Sequence, residues 1–150
     1  MKDVPLEKLP PVSAGDYGRS LRGLGFNLLV SDVPRAVAFA TEVLGATSFF
    51  DNDSFAAMKL HGGDFMFHAD HTYRSNALAG LVAGLDGRGA GVELRVYGCD
   101  PDIAEARARD GGWTVLSGSM DKPHGLRECI ILDDDGYAWV PGIAIRDQAA

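Results

Sequence analysis

The sequence predicts an α+β fold made of two successive strand–helix–three-strand units, βαβββ twice over. Three observations carry this. Two apolar stretches end at an aspartate, Asp32 and Asp100, and each is followed by a helical pattern with proline in its first turn and glycine at its end. Three short runs rich in aromatic and β-branched residues follow each helix. The same order occurs twice, over residues 22–70 and 91–145.

Residues 1–20 are rich in proline, glycine and charge, and read as an extended arm able to lie over a neighbour. Residues 21–150 then form a single domain. Its first unit begins with GLGFNLLVSD, an apolar strand ending at Asp32. In DVPRAVAFATEVLG, Asp32 caps a helix, Pro34 lies in its first turn and Gly45 supplies a left-handed stop. Val37, Ala40 and Leu44 give that helix an apolar stripe. ATSFF, FAAMKL and DFMFHA are strands, separated by the turn segments DNDS and HGG. In the second unit GVELRVYGCD is the first strand. Asp100 caps a helix that begins at Pro101 and stops at Gly111 and Gly112. WTVLSG, LRECIIL and YAWVPGIAI complete the unit. The linker HTYRSNALAGLVAGLDGRGA has room for one short helix. DKPHG reads as a hairpin connection and DDDG as a tight turn, with Gly136 available for positive φ.

Composition narrows the function. The chain is 46% hydrophobic and 23% charged, an ordinary globular mix. Its 14 basic and 21 acidic residues leave a net charge of -7. That balance argues against a nucleic-acid partner, because phosphate neutralisation needs a basic face. It suits a cationic ligand or simple solubility. No stretch approaches the length of a membrane span, and the N-terminus lacks the apolar region of a signal peptide. Cys99 and Cys129 fit neither a disulfide framework nor a zinc motif, so they read as buried thiols of a cytoplasmic protein.

LLVSDVPRAVAFATEVLGA and DKPHGLRECIILDDDGYAWV together resemble the vicinal oxygen chelate superfamily. That superfamily holds glyoxalases, extradiol dioxygenases and the fosfomycin- and bleomycin-resistance proteins. The second segment is most similar to bleomycin-resistance-like members. The resemblance covers roughly residues 22–145. It implies that each βαβββ unit forms half of a curved, incomplete barrel, and that a ligand or metal sits in the trough between paired units, often in a homodimer. Where the family often has Phe-Tyr in the first helix, this chain has Phe39-Ala40.

The resemblance also says where metal ligands would stand: in the first and last strands of each unit. Gly25 and Glu93 occupy the first-strand slots, Val140 the last-strand slot of the second unit, and Phe67 or His68 that of the first. Glycine and valine cannot coordinate, and a catalytic site normally needs three protein ligands. The expectation is therefore no metal. The alternative is a divalent ion such as zinc, nickel, manganese or iron held by His68 and Glu93. Glu93 shares a strand face with Arg95 and Tyr97, either as an ion pair with Arg95 or as a pocket carboxylate. His61 and His71 fall at turns, and His124 in the hairpin loop. Phe67, Tyr97 and Trp139 are among the aromatics that could line a pocket for a flat molecule.

The expected function is metal-free binding of a small molecule, antibiotic-like, aromatic or cationic. Its site residues would be Glu93, Tyr97, His68, Phe67, Trp139 and Arg95. The alternative is a metal-dependent glyoxalase-like lyase, isomerase or dioxygenase.

Overall fold

The structure is a computed structural model and describes residues 10–146. Its elements run α1 (Ala14–Ser20), β1 (Phe26–Val30), α2 (Val33–Glu42), β2 (Thr47–Asp51), β3 (Phe55–Leu60), β4 (Gly63–Ala69), α3 (Ala79–Val82), β5 (Glu93–Tyr97), α4 (Pro101–Asp110), β6 (Thr114–Asp121), β7 (Leu126–Leu132) and β8 (Ala138–Ala144). The strands form two four-stranded sheets with equivalent orders, β1-β4-β3-β2 and β5-β8-β7-β6. In each sheet the first and last strands of the unit pair in parallel, and the other neighbours are antiparallel. The duplicated βαβββ architecture is therefore present.

Local chemistry explains the boundaries. Asp32 caps α2 by accepting from the Arg35 amide at 3.0 Å. Asp100 caps α4 by accepting from Asp102 at 2.9 Å. Each satisfies a donor that the first helical turn would otherwise leave orphaned. Gly45 and Gly112, at φ +76 and +79, take the left-handed conformation that ends each helix.

Alternation along the strands then divides the residues between two faces. Leu28, Val30, Ala56, Met58, Phe65 and Phe67 turn toward α2 and join the core with Phe39, which is 1% exposed. On the second sheet Val96, Cys129, Ile131 and Trp139 take the same role. Each large side chain buried this way contributes roughly 1.5–3 kcal/mol. The units share one core: Phe39 of α2 lies edge-on to Trp113 with centroids 5.4 Å apart, and 6.0 Å from Trp139.

Two connecting regions differ from the sequence reading. Residues 1–9 of the expected arm lie outside the described residues, but Ala14–Ser20 is helical rather than extended. Ser13 caps it by accepting from the Asp16 amide, and Asp16 pairs with Arg19 one turn on. Seven residues make a poor helix alone. This one gains its support from Tyr17, whose ring stacks on Phe49 and lies edge-on to Phe55. The linker holds a 3-10 turn, Asp70–Tyr73, in addition to α3.

The acidic turn fastens the two units together. Asp134 pairs with Arg35 at 2.7 Å, and Asp135 accepts from the Ser31 amide. Arg88, from the linker, grips Asp70 through two hydrogen bonds, donates to the Leu29 carbonyl and lies 3.7 Å from Asp135. The Tyr137 hydroxyl donates to that same Leu29 carbonyl. Gly136 is required here. Its φ is +81, and a Cβ would come within 2.6 Å of the Asp86 carbonyl. Among the described residues no helix is long and apolar enough to cross a membrane.

Candidate functional site

β1 and β5 are edge strands, one in each sheet. A cavity of about 400 Å³ is lined by residues of both, together with the β3–β4 turn and β8. Phe26, Phe65, Leu94, Val96 and Trp139 supply apolar wall; His61, Asp64, Glu93, Arg95 and Tyr97 supply its polar side. Four of the six sequence-predicted residues, Glu93, Arg95, Tyr97 and Trp139, thus come together. The volume is in the usual range of small-molecule sites.

The aromatic wall is built by contact. Phe26 stacks on Phe65 with centroids 5.0 Å apart, and both rings lie against Trp139, at 5.9 and 5.6 Å. Trp139 is only 1% exposed, so it backs the wall more than it offers a surface. Tyr97 at 60% and Phe26 at 36% exposure are the rings that present surface to a ligand, Tyr97 with the Arg95 guanidinium 5.8 Å from its centroid. Trp139 is held from behind: its indole donates to Asp133 at 3.0 Å. Asp133 also accepts from the Tyr137 and Asp135 amides. Burial pushes its carboxyl up from 3.8 to about 6 despite these three bonds.

The polar side is a charge network centred on Arg95. Its guanidinium binds Glu93 at 2.7 Å and, from the other edge, Glu128. Glu93 is thus ion-paired with Arg95 and also lines the cavity. Gly142 stands in register between Tyr97 and Glu128, so no side chain obstructs that part of β8. The hydrogen bonds that it donates to Glu93 and then to Glu128 hold the Arg95 guanidinium protonated well above its ordinary range. Burial would raise the Glu128 carboxyl, but hydrogen bonds from His124 and Arg95 outweigh it and the group titrates below its usual value. Two carboxylates against one guanidinium leave the network net negative. His124 reaches Glu128 at 3.2 Å from the hairpin loop, so that loop is tied to the edge of the network rather than simply solvated.

Glu128 was missed by sequence reasoning. Its signal was alternation: once β5, β8 and β7 are neighbours, Glu128 lies on the same face as Glu93, Arg95 and Tyr97.

The remaining two predicted residues lie elsewhere. Phe67 is fully buried in the core and lines neither the junction cavity nor the one beneath α1. It belongs to the strand face that packs toward α2. His68, on the opposite face, lines a separate cavity beneath α1. Its Nδ1 meets the Asn27 side-chain oxygen, and burial lowers its pKa, favouring neutral imidazole. His61 is exposed in the β3–β4 turn, where it adopts φ +48 and borders the junction cavity.

The donor set does not suit a catalytic metal of the usual kind. Gly25 has no side chain, Val140 is apolar, Glu93 is engaged by Arg95, and His68 lines a different cavity from Glu93. Among the described residues no three His, Cys, Asp or Glu side chains are grouped to hold an ion.

Comparison with known proteins places this geometry. The fold matches the crystal structure of a glyoxalase/bleomycin resistance protein/dioxygenase from Nocardioides with a TM-score of 0.62 and 22% identity, covering 89% of this chain and 94% of that one. It matches a glyoxalase-related enzyme from Fulvimarina pelagi at 0.65 and 16%, covering 87% and 96%. It matches a family enzyme from Burkholderia phytofirmans PsJN at 0.67 and 15%, covering 81% and 97%. No curated protein matches. The family model described as Glyoxalase/Bleomycin resistance protein/Dioxygenase superfamily matches residues 24–140, and the chain belongs to that superfamily.

Proposed function

We propose that this chain is a metal-free small-molecule binding protein that holds a flat aromatic cation in the junction cavity. The observation that carries the reading is the placing of exposed Tyr97 and Phe26 beside the Glu93 and Asp64 carboxylates in one cavity of about 400 Å³, with Arg95 held between Glu93 and Glu128. A planar ligand would stack on the rings, and a positive charge on it would be drawn to the carboxylates. The donor set described above supports chemistry without a metal. The free, buried Cys99 and Cys129 support a reducing compartment, the cytoplasm.

We propose further that the working form is a homodimer. Away from the cavity, the second sheet leaves Leu116 and Met120 exposed. A second copy would cover these side chains, and two-fold symmetry would give two equivalent sites.

Acriflavine, a planar aromatic cation, and its neutral parent acridine test the binding reading by fluorescence titration at pH 7.5. Acriflavine should bind saturably and more tightly than acridine, and Tyr97→Ala should weaken it about tenfold through lost stacking. Absence of saturable acriflavine binding, or equal affinity in Tyr97→Ala, would overturn the assignment.

A further inference from the structure

The cavity beneath α1 has a chemistry of its own. It measures about 340 Å³ and lies between α1 and the face of the first sheet that points away from α2. Tyr17, Phe49, Phe55, Ala57, Met66 and His68 form its working surface. Among the described residues no charged side chain lines it, and His68 and Tyr17 are its only polar ones. A charged ligand would therefore lose its hydration without gaining a counter-ion.

The state of His68 follows from its neighbours. The Asn27 amide nitrogen donates to the Tyr73 hydroxyl at 2.8 Å, which leaves its side-chain oxygen as the acceptor facing His68 Nδ1. Nδ1 must then carry the proton, and Nε2 keeps its lone pair. Nε2 has no hydrogen-bond partner among the described residues. With the Tyr17 hydroxyl, which is buried and has no partner among the described residues, the His68 imidazole supplies the polar groups of a lining that is otherwise apolar. Phe55 and Tyr73 hold the ring, with centroids at 4.8 and 5.3 Å.

The cover is suited to opening. α1 buries none of its own residues and leans on the sheet through Tyr17. It joins β1 through a loop that contains Gly23 at φ +73. Lifting it exposes the cavity without disturbing the shared core.

The geometry points to a second binding site here, for a neutral aromatic molecule carrying one hydroxyl or N–H donor, with α1 as its lid and His68 Nε2 as the acceptor that reads the donor. This site does not rest on the junction-cavity reading.

The probe is 2-naphthol, with naphthalene lacking the donor and 2-naphthoate adding a charge. By fluorescence titration 2-naphthol should bind about fivefold or more tighter than naphthalene, the worth of one buried hydrogen bond, and 2-naphthoate more weakly than either. His68→Leu should bring the first two to equal affinity, while Glu93→Gln leaves the ratio unchanged. Amide exchange on the wild-type protein provides a check that needs no variant: saturating 2-naphthol should slow exchange at Gly18 and Leu21. A ratio that survives His68→Leu, collapses in Glu93→Gln, or comes with unchanged exchange in α1 would overturn the proposal.

Discussion

Asp133→Asn removes one buried ionisable group while keeping the shape of the acidic turn. In the wild-type chain the carboxylate accepts from two backbone amides and from the Trp139 indole, each at 3.0 Å. Burial still raises its pKa from 3.8 to about 6. A folded-state pKa above the unfolded value means that the folded chain holds the proton more tightly. This group therefore adds stability as pH falls from above 6 toward 3.8, and that gain is lost as pH rises through 6. The complete shift corresponds to roughly 3 kcal/mol. Between pH 7.5 and pH 5 the part realised is about 1.4 kcal/mol. Urea unfolding followed by tryptophan fluorescence at those two pH values measures it. The wild type should gain about 1.4 kcal/mol more than Asp133→Asn on going to pH 5, because asparagine does not titrate. Glu128, with its lowered pKa, works in the opposite direction, but it does so in both proteins and cancels in the comparison. Equal pH dependence in the two proteins would refute the reasoning.

Arg88→Ala should destabilise the fold by about 3 kcal/mol in thermal or urea unfolding, because it leaves Asp135 buried without its cation and cuts the linker from Asp70. Gly136→Ala should cost about 3 kcal/mol, combining a left-handed φ with a Cβ pressed on the Asp86 carbonyl; a melting temperature equal to wild type would contradict the packing of that turn. His124→Ala should change stability by less than about 1 kcal/mol and leave acriflavine affinity unaltered, since the imidazole is half exposed and touches only the far edge of the network. Light scattering at micromolar concentration should give twice the chain mass, and Leu116→Glu should halve it; a wild-type monomer that binds ligand fully would rule out the dimer.

Much of the fold was legible because its signals are local. Asp32 and Asp100 cap the helices that their positions suggest, and LRECIIL becomes β7 over Leu126–Leu132. α1 was hidden because little in its own seven residues favours a helix; its support comes from Phe49 and Phe55, far along the chain. The acidic turn reads locally as Asp-rich turn chemistry. Nothing near it announces that Asp134 and Asp135 would meet Arg35, Ser31 and Arg88 from elsewhere. The candidate site was half legible for the same reason. Alternation groups Glu93, Arg95 and Tyr97 on one strand, but only the packing of the two sheets separates them from His68 and sends Phe67 into the core.

Titration of acriflavine into protein stripped with a chelator, followed by calorimetry with metal content measured on the same sample, tests the central claim most directly. The account predicts saturable binding with the same Kd before and after stripping, and about threefold weaker binding in Glu93→Gln, as for a partly exposed charge contact. Binding that disappears on stripping and returns with one equivalent of zinc, nickel, manganese or iron would contradict it.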